Sequence, residues 1–308
     1  MSPRLPDFLA QPFSPIQFAI QPYVPLGGIT FLYGKTRVGK SPLTWEMGRC
    51  VAAGEPFLGL YPVTQGRVLY CDLDTAPALV QTRLALIDSP PADFFIEFPG
   101  VRNLMQAATQ DYFKKLYAEV QPTFVILNTL RKLYSGDEKD ASLPSRIYAI
   151  LLTLFPSAAV MVVHHDKKSS GNPEDTSDPD EAFSGHMAWL NDCQVGLHLT
   201  PAGGHVPGLL RLWHSKSQVS SEEPPHTLQL SQNGTQLALY TAQKATAVMS
   251  VYVQCPIGMS KTDKVRLISQ QLGFSERSVW TYLSRLPDET PLQPLQSETP
   301  IICKDRLQ

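Results

Sequence analysis

Between residues 25 and 240 short apolar runs alternate with stretches of helical periodicity, the arrangement that a parallel α/β architecture requires. The runs "GITFLYG" (28–34), "GRVLYCDLD" (66–74), "TFVILN" (123–128) and "AAVMVVHH" (158–165) hold almost no polar residue inside, which predicts strands covered on both faces. "SPLTWEMGRCVAAG" (41–54) and "APALVQTRLALI" (76–87) have the spacing of helices between them. The most membrane-like run, "IYAILLTLFPSAAVMVV" (147–163), is broken by Pro156 and Ser157 and reads as a helix end, a turn and a buried strand. "CQVGLHLT", "GLLRLWHSK", "HTLQLSQ" and "TQLALYT" then suggest a meander that completes the sheet. Beyond residue 241 the pattern changes. "KTDKVRLISQQLGFSERSVWTYLSRL" (261–286) gives two short amphipathic helices around Gly273, and the Pro-rich end reads as a disordered tail. The expected organisation is an α/β domain over 1–241, a small helical domain over 242–290 and a tail over 291–308.

Composition narrows this picture only slightly. With 308 residues and 43% hydrophobic content the chain can build one large core and a small one. A net charge of −2 demands neither nucleic acid nor membrane as partner, so any basic surface must be local. The five cysteines are scattered without a CxxC pair, which fits reduced structural thiols in a cytoplasmic protein. "MSPRLPDFLAQPFSP" lacks the charged start and apolar core of a signal peptide.

The candidate chemistry lies in "GKTRVGKS", residues 34–41, between a predicted strand and a predicted helix. Gly34, Lys35, Thr36, Arg37, Val38, Gly39, Lys40 and Ser41 satisfy the phosphate-loop pattern. The glycines let backbone amides close around phosphates, Lys40 reaches the terminal phosphates and Ser41 ligates Mg²⁺. The bland alternative is a loop that has lost its ligand. Pro42 brings no N–H to a position where such loops donate one. The neighbouring strand ends in Asn128, an amide where a Walker-type site sets a carboxylate to hold the metal's water shell. Asp74, at the end of "VLYCDLD", is the acid placed to orient an attacking water; Asp72 in the same run suits a catalyst or a buried hydrogen-bonding partner equally.

Several stretches together, "GGITFLYGKTRVGKS", "AAGEPFLGLYPVTQGRVLYCDLD", "VILNTLRKLYSGDEKDA", "VMVVHHDKK" and "LLRLWHSKSQ", resemble the hexameric RecA-like ATPases of the RepA plasmid-helicase type over about residues 20–235. The resemblance implies a RecA-like P-loop NTPase core, ATP and Mg²⁺ as ligands, and self-association into a ring or filament, possibly a hexamer, with nucleotide between subunits. It places Asp74 where the family has its catalytic glutamate and Asn128 at the Walker B aspartate. His165 falls at the γ-phosphate sensor, Lys216 at the inter-subunit lysine, and Gln218 where a trans-acting arginine is expected. Read on their own, His164 and His165 fit core-edge histidines as well, and Lys216 a solvated strand residue.

DNA handling is read from two segments. The loop 166–181 sets two lysines, Lys167 and Lys168, against six carboxylates, a poor phosphate-binding surface. The C-terminal helices resemble a small winged helix-turn-helix, whose second helix would present Arg277, Ser278 and Thr281 beside Lys261 and Lys264; a helical cap for protein contacts has the same pattern. The leading expectation is an ATP-binding, DNA-associated RepA-like protein of plasmid, phage or mobile-element replication or maintenance, working with other proteins of that element, that hydrolyses ATP weakly or not at all. The alternatives are a nucleotide-dependent assembly or DNA-binding adaptor and an active hexameric replicative helicase.

Overall fold

In the computed structural model, residues 4–283 are described apart from 13–14, 88–89, 137–139, 166–186, 203–207, 232–236, 241–247, 249–250, 257 and 273. The acidic loop and the C-terminal tail therefore lie outside the described residues. The chain divides into two units, Met1–Thr241 and Ala242–Gln308.

The first unit opens with a short helix α1 (Leu5–Leu9) and a small hairpin of β1 (Phe18–Ile20) and β2 (Val24–Pro25). The element order then runs β3 (Ile29–Gly34), α2 (Lys40–Ala53), β4 (Val68–Asp72), α3 (Pro77–Leu84), β5 (Phe94–Glu97), α4 (Ala107–Val120), β6 (Phe124–Asn128), α5 (Leu143–Leu154), β7 (Ala159–His165) and α6 (Ala188–Asn191). Four further strands follow: β8 (Val195–Pro201), β9 (Leu209–Ser217), β10 (His226–Leu230) and β11 (Leu237–Leu239). They build one nine-stranded sheet in the order β11-β10-β9-β8-β3-β7-β6-β4-β5. From β8 to β5 every neighbour is parallel, while β8 through β11 form the antiparallel meander.

Side-chain alternation along the parallel strands feeds two cores. Leu32, Tyr70, Ile126 and Val163 point to the side covered by α2, with Leu43, Met47 and Val51. Phe31, Cys71, Leu127 and Val162 point to the other side, against Phe113 of α4 and Ile147 and Leu151 of α5. Both faces of the central strands are thus dry, which is why those strands read as unbroken apolar runs. All these parallel strands end along one edge of the sheet. In doubly wound sheets ligands bind at that edge, where the strand order reverses between β3 and its neighbours. No helix among the described residues is long and apolar enough to cross a membrane.

The second unit contains α7 (Lys261–Leu272) and α8 (Glu276–Leu283), held together by Val265, Ile268, Val279 and Leu283 with Val248 and Cys255. Ser260 and Asp263 bond reciprocally at the start of α7: Ser260 Oγ donates to Asp263 Oδ2 at 2.6 Å and receives its backbone N–H at 3.2 Å. That arrangement satisfies a helix-terminal donor and fixes where the helix begins.

Candidate nucleotide site

The loop between β3 and α2 is shaped by two left-handed residues, Arg37 at φ 65° and Gly39 at φ 110°. Gly34 ends β3 so close to β8 that a β-carbon there would stand 2.4 Å from the Leu199 carbonyl oxygen. At Gly39 the obstacle would be Leu210 Cδ1, at 2.8 Å. Gly39 caps α2 without a side-chain hydrogen bond, so no side chain covers the amides of the first helical turn. Exposed amides in a glycine-rich concavity at a helix N-terminus are an anion-binding arrangement. Lys40 is buried, and its ammonium donates to the Gly34 and Lys35 carbonyls at 2.6 and 2.9 Å and lies 3.2 Å from His165 Nδ1. The cation is therefore tethered inside the loop. These features fit a bound polyphosphate.

Pro42 is the third residue of α2, where a backbone N–H has no intrahelical acceptor in any case. The helix thus accommodates the proline without loss of an internal bond, and only an outward-facing donor is missing.

Beyond the loop the strand ends bring further groups to the same cleft, a space of about 430 Å³ whose wall includes Thr36, Arg37, Gly39, Lys40, Ser41, Asn128, His165 and Asp74. Sequence reasoning had not singled out Trp45, Thr75, Arg83, Thr129 and Leu230, which share that wall. Arg83 carries no strong signal of its own; only its place on the helix after Asp74 could have pointed to it. His164 and His165 separate as strand alternation dictates. His164 is buried among Phe31, Tyr134 and Trp189, whereas His165 faces Lys40.

Asn128 is buried; its amide nitrogen donates to Tyr70 Oη at 2.9 Å and to Ser41 Oγ at 3.3 Å. Burial pushes the Tyr70 phenol well above its ordinary range, and the charge of Asp72 pushes it the same way, so it stays neutral. β4 ends two residues before Asp74. There the Asp72 side chain folds the chain into a turn, its Oδ1 accepting the N–H groups of Asp74 and Thr75 at 3.0 and 2.7 Å. Asp74 is half-exposed and pairs with Lys132 at 3.5 Å, a contact the sequence alone did not indicate.

Lys216 is not in the cleft wall. Its ammonium gathers carbonyls at the end of α6, those of Leu190 at 2.9 Å, Cys193 at 2.7 Å and Asn191. Arg211 is exposed and stacks on Trp213, 4.6 Å from the ring centroid. In the second unit Arg277 is exposed, Lys261 lies 5.7 Å over Trp280 and Lys264 lies 4.7 Å over Tyr252. Ser278 and Thr281 are on α8, with side chains outside what the structure describes.

A protein-family model described as an AAA domain matches residues 2–171, more than half of the chain. The chain belongs to this AAA domain family. The matched residues of the AAA domain take in the phosphate loop, Asp72, Asp74, Asn128 and His165. Among solved structures, a KaiC-like protein from the hyperthermophilic archaeon Pyrococcus horikoshii OT3 is similar at 10% identity and TM-score 0.52, covering 72% of this chain and 93% of that one. The ATPase domain of a helicase is similar at 10% identity and TM-score 0.52, over 69% and 84%. The RadB recombinase aligns at 17% identity and TM-score 0.46, over 69% and 90%. No curated protein matches the sequence. The fold of this AAA domain is that of the RecA-like P-loop ATPases.

Among the described residues no three His, Cys, Asp or Glu side chains gather as a metal cage. Mg²⁺ accompanying a nucleotide needs no such cage, since it keeps most of its waters and takes one or two protein ligands. Ser41 is placed for that role; Asn128, as oriented, offers the ion's surroundings an N–H rather than an oxygen.

Proposed function

We propose that this protein binds ATP with Mg²⁺ in the Gly34–Ser41 loop, hydrolyses it slowly or not at all, and uses it as a structural ligand in a self-associated ring or filament. In this reading the assembly attaches to DNA through residues 242–290 and serves the replication or maintenance of a plasmid, phage or other mobile element. The observation that carries it is the Asn128 amide donating to Ser41 Oγ inside an otherwise well-formed phosphate cradle. Binding groups are in place, while the groups that serve turnover are weakened. Asn128 brings no charge, and Asp74 is a methylene shorter than glutamate and engaged by Lys132. Gln218 offers no guanidinium, a group that accelerates related reactions by about 10³-fold or more. DNA attachment rests on the exposed Arg277 and the lysines of α7, arranged on a helix pair with helix-turn-helix spacing.

Calorimetry with ATP and Mg²⁺, paired with a phosphate-release assay, tests the reading. The expected result is ATP binding that Lys40→Ala weakens at least about tenfold, a charge-assisted bond being worth roughly 1.5–3 kcal/mol. Turnover should stay well below about 1 s⁻¹, the low end of ordinary enzyme rates. Equal affinity in wild type and Lys40→Ala would sink the binding claim. Turnover at or above that rate, stimulated by single-stranded DNA, would make the protein an active motor.

A further inference from the structure

We infer that Asp72 supplies, from the adjoining strand, the negative charge that Asn128 lacks, and so acts as the positioning residue for the water shell of Mg²⁺ carried with the nucleotide. The inference rests on the proposed nucleotide site. Asp72 and Asn128 are paired directly across the β4–β6 ladder. Parallel neighbours stand about 4.8 Å apart, and side chains at paired positions leave the sheet on the same side. That side is the one occupied by α2, because Tyr70 and Ile126, each two residues earlier, both belong to the core under α2. Asp72 therefore emerges beside the Asn128 amide that touches Ser41.

The second observation concerns the unused half of the carboxylate. Asp72 is 2% exposed; its Oδ1 is taken by the turn, whereas its Oδ2 is fully buried with no hydrogen-bond partner among the described residues. Buried carboxylate oxygens are ordinarily bonded, because leaving one bare forfeits its hydration. A water held by a divalent cation is a partner of the right charge. Asp72 is not itself part of the cleft wall, which suits a group that acts through such a water rather than as a direct ligand. Asp74, the other nearby acid, is half-exposed and turned to Lys132, so its charge is partly answered already.

Calorimetric ATP titrations of the full chain, with Mg²⁺ and with EDTA, separate the possibilities. In Asp72→Asn the amide oxygen can still accept the Asp74 and Thr75 N–H groups, so the turn survives and only the charge is removed. The gain in ATP affinity brought by Mg²⁺ should fall about tenfold or more in this variant, the usual effect of losing an outer-shell partner. Affinity in EDTA should hold. The charge-relocating pair Asp72→Asn with Asn128→Asp should restore the gain, and it decides the matter by itself if the single variant does not fold. An unchanged Mg²⁺ gain in Asp72→Asn, or no restoration in the pair, overturns the inference. A wild type that binds ATP with no Mg²⁺ gain also overturns it while leaving the nucleotide reading intact, and a wild type that binds no ATP at all removes both.

Discussion

At Asn128 both amide hydrogens are committed, one to Tyr70 Oη and one to Ser41 Oγ, and both acceptors are hydroxyls that can reverse their role. A carboxylate at this position would accept from the same two groups. Asn128→Asp with Asp74→Glu is therefore expected to fold and to raise phosphate release by on the order of 10²-fold, the scale at which a 1 Å correction of a catalytic group acts; unchanged release would locate the deficit elsewhere. Pro42→Ala adds one N–H to the first turn of α2 without disturbing an internal bond. ATP should bind about two- to tenfold tighter, one ordinary hydrogen bond, with no shift in thermal stability. A different residue governs acid sensitivity. Burial lowers the basicity of His214 below the usual 6.5, and its Nδ1 accepts the Glu223 N–H at 3.0 Å, a bond that protonation destroys; Glu223 and the neighbouring His226, Tyr61 and Tyr23 complete its surroundings. His226 is lowered in the same way. The unfolded chain takes up these protons near pH 6.5, before the folded chain does, so stability should decline as pH falls through that value. Thermal melts at about pH 7.5 and 5.5 would reveal it, and His214→Gln should flatten the difference.

Elements were legible in the sequence in proportion to how far burial dictated their composition. The four central strands, buried on both faces, announce themselves as apolar runs, and α2 is fixed between the glycine loop and Gly54. The edge strand β5 is four residues long with Phe95 and Ile96 partly exposed, so neither alternation nor burial marks it, and α4 buries only Thr109, Phe113 and Val120. The site divides in the same manner. Lys40, Ser41, Asn128, Asp74 and His165 converge because motif spacing and strand ends place them; the Asp74–Lys132 pair and the Lys216 contacts depend on tertiary geometry that spacing does not encode. The loop itself is tightly specified. Gly39→Ala should cost about 1–3 kcal/mol, since it combines an unfavourable φ with the clash against Leu210, and chemical denaturation would measure it. Ser260→Ala should cost about 1 kcal/mol in the second unit through loss of its cap.

At the scale of the whole molecule, a phosphate-binding domain and a basic helix pair share one nearly neutral chain. If residues 242–290 carry the contact with duplex DNA, affinity should drop with salt, and Arg277→Ala should lower the log–log slope by about one for the phosphate contact removed. An unchanged slope would place the contact elsewhere. The Lys216 clasp has a consequence of another kind. One ammonium on β9 fastens three carbonyls at the junction of α6 and β8, so that junction cannot open by itself; it opens only when β9 lets go. Deuterium uptake should therefore be slow at the Gln194 amide, which bonds the Ile29 carbonyl at the start of the phosphate loop's own strand, and Lys216→Met should quicken it while the far strands β4 and β5 keep their protection.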